Sequence, residues 1–205
     1  MTIFFVIVIT LTSILAFRKP EIFGFLQFNP YLVVHKKQVH RLISHGLVHA
    51  DWMHLIINML VFYSFGTAIE NYFSQLASSG IISSPHLHFS LLFLLSLVIS
   101  STTTLVKYRS EPYYNAVGAS GAVSAFVFAS IFFAPWQTLL FYFIPIPGIV
   151  FGVIYLVYSQ YMSRRDRDHI NHDAHFLGAV FGFLYPLFID PSLFTFFLHQ
   201  LVQLR

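Results

Sequence analysis

The chain has 205 residues, of which 57% are hydrophobic and only 9% are charged, and its formal net charge is +3. A soluble domain carries about 25% charged residues because its surface faces water, so a soluble globule and a disordered chain are both excluded. The mean hydropathy of +0.72 predicts an integral membrane protein instead. The small positive charge does not indicate nucleic acid binding, and the absence of cysteine excludes disulfides and thiol catalysis.

Six apolar segments approach the length of roughly 20 residues that a membrane-spanning helix needs. We therefore predict an all-α polytopic membrane protein that forms one domain over residues 1–205. The predicted spans cover residues 2–17, 52–69, 87–106, 118–134, 139–158 and 174–189. Pro145 and Pro147 fall inside the fifth span and predict a kink, since proline removes a backbone donor and clashes with the preceding turn.

The longest segment outside these spans runs from Arg18 to Asp51, between the first two helices. Aromatic residues alternate there with Lys36, Lys37 and Arg41. Aromatic rings and basic side chains both sit well at a membrane interface, so this segment is predicted to be a folded, membrane-associated loop.

Polar residues cluster at the N-terminal ends of the second, fourth and sixth predicted helices. With six spans, these three ends emerge on the same face of the membrane. The second helix carries His54 and Asn58, which are four residues apart and share one face. Ser120 lies at the start of the fourth helix and His175 at the start of the sixth. A single serine or histidine is usually structural, but polar side chains grouped at membrane depth indicate function.

Small residues would let the fourth and sixth helices pack closely. The small side chains at these two helices are Gly118, Gly121, Ala122, Ala125, Ala129, Gly178 and Gly182. Close packing would bring Ser120 within hydrogen-bond reach of His175, as an activated serine nucleophile requires. Candidate donors to the resulting oxyanion are the Ser120 backbone N–H, the Asn58 amide and a ring N–H of His54. We interpret His45 and His49 as lining a water-filled approach to this site.

Three motifs in this order resemble those of the rhomboid intramembrane serine proteases. They are H-x(4)-H-L-x-x-N-M from His49 to Met59, GASG from Gly118 to Gly121, and AHxxGxxxG from Ala174 to Gly182. The resemblance extends over all six predicted helices.

This resemblance implies a six-helix bundle of the bacterial type, in a cell (inner) membrane, with Ser120 as nucleophile and His175 as general base. It also implies an oxyanion hole formed by His54, Asn58 and the Ser120 amide. The substrates would be transmembrane proteins, cut in or near a membrane span, with no metal or organic cofactor. The fifth helix resembles the family's mobile substrate gate.

Two positions depart from the pattern of well-studied bacterial members. Ser124 occupies the position four residues after the serine, where an aromatic residue commonly packs against the base. The Trp-Arg pair of the first loop is replaced by His40-Arg41. We interpret Asp173, with Asn171, as part of a helix start rather than as a third catalytic residue.

Two other functions remain open at this point. A metal-ion transporter or metal-binding membrane protein is suggested by His45 and His49, four residues apart, and by His169, His172 and His175, three residues apart. Against it, the intramembrane acids of a cation path are missing, and so is the glutamate of an HExxH zinc protease. The other alternative is a catalytically inactive rhomboid-like protein that binds membrane clients.

The direction of insertion is predicted differently by two criteria. Basic residues concentrate in the first, third and fifth loops, and only Arg205 lies on the opposite face. The positive-inside rule therefore places the site on the cytoplasmic face. The family resemblance places the site on the outer face, and we favour it because a folded first loop can escape a rule calibrated on short loops.

Overall fold

A computed structural model describes residues 1–141, 144–165 and 171–202, and for Phe141 the backbone alone. The described chain is mostly helical, with one short hairpin. Its helices are α1 (Thr2–Arg18), α2 (Pro20–Leu26), α3 (Pro30–Lys36), α4 (Arg41–Ser44), α5 (Trp52–Ser78), α6 (Pro85–Ser100), α7 (Thr102–Lys107), α8 (Ser120–Phe133), α9 (Gly148–Ser163), α10 (His172–Ile189) and α11 (Leu193–Val202), and a 3₁₀ turn covers His45–Leu47. The two strands are β1 (Thr138–Phe141) and β2 (Ile144–Pro147), which pair antiparallel.

Two stretches of the described chain are long and apolar enough to cross a membrane. They are Trp52–Ser78 and the continuous pair Pro85–Lys107. A third span results if α10 and α11, which meet at a bend of 120°, are counted together. Helices α1, α8 and α9 are apolar but shorter, at 17, 14 and 16 residues.

The central helix is α8, where every residue from Gly121 to Phe133 is buried. A helix that is apolar on all sides is stable only when other helices surround it. Phe126 packs its ring 4.9 Å from Phe62 of α5 and 4.9 Å from Phe89 of α6. Helix α10 packs closely against another side, and α9 and α11 also contact α8. These helices together hold the start of α8 in place.

The contact between α8 and α10 depends on two glycines. A Cβ atom added at Gly178 would lie 2.1 Å from the carbonyl oxygen of Gly121, and one added at Gly182 would lie 2.0 Å from that of Ala125. Only glycine permits backbones to approach so closely. The sequence pattern proposed these small residues for helix packing, and their geometry accords with that role.

The first loop folds into the short helices α2, α3 and α4. The Arg41 guanidinium is buried and donates hydrogen bonds to the carbonyl oxygens of Gly24 (2.8 Å) and Gln27 (2.6 Å). Phe28 then exchanges two backbone hydrogen bonds with Ala116, at 2.9 and 3.0 Å. The loop is thereby joined to the segment that leads into α8.

The prediction of a kinked fifth helix from residue 139 is wrong. Residues from Thr138 to Pro147 contain the β1–β2 hairpin, in which Leu139 faces Ile146 and Leu140 faces Pro145. Helix α9 begins only at Gly148, directly after Pro147. Both prolines lie in the strand β2, because a proline inside the helix would have cost a backbone hydrogen bond.

Candidate active site

Ser120 and His175 meet where α8 and α10 begin. The distance between Ser120 Oγ and His175 Nε2 is 2.7 Å. Ser120 is the first residue of α8, so its backbone N–H has no acceptor within the helix. The positive end of the helix dipole therefore faces the hydroxyl and favours any negative charge that develops there.

The start of α10 is fixed by capping. The side chain of Asn171 accepts a hydrogen bond from the N–H of Ala174 (3.1 Å) and donates one to Thr104 Oγ1 (2.7 Å). Asp173 accepts a hydrogen bond from Ser163 Oγ at the end of α9. Both residues therefore belong to the start of α10, as predicted, and each also contacts a neighbouring helix.

His54 and Asn58 approach the same place from α5. The imidazole of His54 lies against Gly118, two residues before Ser120. Asn58 is buried, and its amide donates one hydrogen bond to the His54 carbonyl oxygen (2.9 Å). An amide nitrogen carries two protons, so a second one can be donated to a ligand.

A cavity of about 1180 Å³ contains all four of these side chains. The cavity begins beside these four side chains, continues between α5 and α9, and reaches strand β1 of the hairpin. Its walls are largely apolar, with Val61 and Phe65 on α5 and Phe151 and Tyr155 on α9. Mostly apolar cavities with a few convergent polar groups are typical of ligand sites.

The interpretation of His45 and His49 as lining a wet approach is wrong. His49 is fully buried and His45 is 8% exposed, and neither lines the cavity. His49 contacts Ser13 of α1 and Ala119, and the ring of His45 packs against that of Phe28. Among residues 1–141, 144–165 and 171–202, no three His, Cys, Asp or Glu side chains are grouped to hold a metal, while His169 lies outside the described residues.

Ser124 finds a partner that the sequence did not indicate. Its hydroxyl is 2.8 Å from the Tyr155 hydroxyl of α9. The ring of His172 lies near that of His175, with centroids 6.2 Å apart and an interplanar angle of 72°. The serine thus replaces an aromatic contact within the site by a polar link between α8 and α9.

A model of the rhomboid domain matches residues 36–191 of this chain, a range that includes Ser120, His175, His54 and Asn58. The chain belongs to the rhomboid family. RHOMBOID-like protein 12, mitochondrial, of Arabidopsis thaliana is 29% identical over 148 residues, which are 70% of this chain and 44% of that protein. The chain therefore covers less than half the length of this relative. Composition and family together are those of a membrane protein.

Replacing Gly118 by alanine is expected to lower any activity of this rhomboid site by up to about 100-fold, since small displacements of reacting groups have effects of that size. Gly118 has a φ of +115°, and a Cβ there would lie 2.6 Å from His54 Cε1. Gly80→Ala is the matched control, because φ is +77° and nothing lies within 4 Å. Equal activity of the two variants in a proteolysis assay would contradict the expectation.

The Ser124–Tyr155 contact is expected to contribute about 1 kcal/mol to stability, as hydrogen bonds commonly do. Tyr155→Phe and Ser124→Ala should each lower the thermal midpoint in detergent. The double variant should lower it by less than the sum of the two single losses, and Tyr155→Phe should cost more than Ser124→Ala because the Tyr155 hydroxyl also bonds Ser159. Strictly additive losses would show that the two hydroxyls act independently.

Proposed function

We propose that this rhomboid family chain is an intramembrane serine endopeptidase with Ser120 as nucleophile and His175 as general base. The observation that carries the proposal is the 2.7 Å contact between Ser120 Oγ and His175 Nε2, inside a cavity that also holds two side-chain donors. No metal or organic cofactor is needed for this chemistry.

The reaction follows from these groups. His175 Nε2 accepts the proton of Ser120 as its Oγ attacks the carbonyl carbon of the scissile peptide bond. The developing oxyanion is stabilised by the Ser120 N–H, the free amide proton of Asn58 and a ring N–H of His54. The protonated His175 then gives its proton to the leaving amine. Water attacks the acyl-enzyme, with His175 again as base, and releases the second product.

The length of α8 supports catalysis at membrane depth. A helix of 14 residues is about 21 Å long, whereas the hydrocarbon core of a bilayer is about 30 Å thick. From this length and its burial we infer that the N-terminal residue of α8, Ser120, lies below the membrane surface. We therefore propose a six-helix bundle over residues 1–205, with the first loop resting at the interface.

The shape of the cavity supports transmembrane proteins as substrates. It is bounded by apolar residues of α5 and α9 over several helical turns below Ser120, and apolar walls suit the side chains of a membrane span. We propose that the protein is a multi-pass protein of a cell membrane, whose site opens to the outer face and whose α9 admits the substrate.

Cleavage of a single-span substrate by the purified protein in proteoliposomes tests the proposal. The wild-type protein is expected to release two fragments, and Ser120→Ala to release none. Asn58→Ala is expected to slow cleavage by about 100- to 1000-fold, the effect of losing one oxyanion donor. Substrate binding without any cleavage by the folded wild-type protein would support an inactive client-binding protein instead.

A further inference from the structure

The fully buried His49 connects helix α1 to the loop that precedes Ser120. Its Nδ1 lies 3.0 Å from Ser13 Oγ of α1. Ser13 Oγ also lies 3.0 Å from the carbonyl oxygen of Leu47, to which it donates. A hydroxyl has a single proton, so Ser13 accepts from His49, and the ring must carry its proton on Nδ1.

The other ring nitrogen is consequently an acceptor. His49 Nε2 faces the backbone N–H of Ala119 at 3.5 Å, a long hydrogen bond between two fully buried residues. Protonation of Nε2 would place its N–H against the backbone N–H of Ala119, and the hydrogen bond would be lost. Burial, and next the neighbouring His54, lower the pKa of His49 to about 3, which keeps the ring neutral at physiological pH.

This contact completes the restraints on the segment from Ala116 to Ala119. Ala116 pairs with Phe28, and the Gly118 N–H donates to the carbonyl oxygen of His45 at 2.9 Å. These two restraints are between backbone groups, and the third depends on the His49 side chain. The same ring lies edge-on to His54, with centroids 4.9 Å apart. One imidazole thus contacts both the loop before the Ser120 amide and the second oxyanion donor.

We propose that His49, held in its Nδ1–H form by Ser13, is a positioning residue that orients the oxyanion-stabilising groups from helix α1. The proposal rests on the proposed protease function. Helix α1 supplies none of the reacting groups. Under this proposal it nevertheless influences the rate of proteolysis, because the buried hydroxyl of Ser13 fixes the proton of His49.

Kinetics of two matched hydroxyl deletions on α1 test the positioning role. Ser13→Ala is expected to lower kcat by up to about 100-fold with KM and the shape of the pH–rate profile unchanged, and to weaken a peptide aldehyde inhibitor by the same factor. Thr12→Ala, whose hydroxyl donates to the Val8 carbonyl oxygen of its own helix, should behave as wild type. His49→Gln, which keeps an acceptor for Ala119, should retain more activity than His49→Leu.

The position of the proton on the His49 ring can be measured whether or not the protein has proteolytic activity. The ¹⁵N NMR spectrum of histidine-labelled protein is expected to show His49 protonated at Nδ1 and bare at Nε2 from pH 5 to pH 8. A wild-type protein that cleaves substrate while Ser13→Ala matches Thr12→Ala overturns the positioning role. A spectrum that shows His49 protonated at Nε2, or as an imidazolium, overturns the positioning role independently of proteolysis. Absence of proteolysis by the wild-type protein, together with the expected spectrum, refutes only the protease function.

Discussion

His175→Ala is expected to lower kcat/KM for a membrane substrate by at least about 10⁴-fold, because removing the base of a serine hydrolase has an effect of that order or larger. The hydroxyl of Ser120 would lose the acceptor that lies 2.7 Å away. Proteolysis of a single-span substrate, with the rate divided by the amount of folded protein, measures the loss.

The matched control is His199→Ala, which removes an exposed imidazole from α11. It should leave the rate unchanged. A His175→Ala protein that cleaves within tenfold of the wild type would show that another group accepts the proton.

Gly182→Ala is expected to destabilise the protein by about 1 to 3 kcal/mol, the usual cost of overpacking, and to lower proteolysis together with stability. The added Cβ would lie 2.0 Å from the Ala125 carbonyl oxygen, a backbone atom that cannot rotate away. Helix α10 would have to separate from α8, and the separation would carry His175 away from Ser120. The thermal midpoint in detergent and the cleavage rate measure the two effects.

Gly24→Ala provides the control for a glycine replacement within a helix. Nothing lies within 4 Å of a Cβ at Gly24, and alanine has the higher helix propensity, so this variant should be at least as stable as the wild type. An unchanged midpoint and rate for Gly182→Ala would mean that the close contact of α8 with α10 does not hold the site together.

Local pattern predicted much of the candidate site. Helical periodicity places His54 and Asn58 on one face whatever the tertiary structure, and the small residues at Gly178 and Gly182 indicated which helix could approach α8. The same pattern failed over residues 139–147, because a short apolar run suits a strand as well as a helix. Pro145 and Pro147, two residues apart, were the signal that this segment is an extended strand preceding the helix rather than a kinked part of it.

Side-chain contacts between segments far apart in the chain could not be predicted from local sequence patterns. The substitution at Ser124 was visible as a departure, but its partner Tyr155 is 31 residues away on another helix. The role of His49 depends on Ser13, 36 residues earlier, and on the fold of the first loop that buries both. The number and spacing of the histidines suggested a water-filled approach or a metal site. In the structure His49 is instead a buried ring that contacts Ser13 on one side and Ala119 on the other.

Labelling with a fluorophosphonate, which forms a covalent bond with activated serines, tests the central claim most directly. Mass spectrometry of the purified wild-type protein is predicted to find one adduct, on Ser120, and none in Ser120→Ala or His175→Ala protein of unchanged thermal midpoint. Folded wild-type protein without an adduct at Ser120, or equal labelling of the His175→Ala variant, would contradict the assignment of Ser120 and His175 as a catalytic pair.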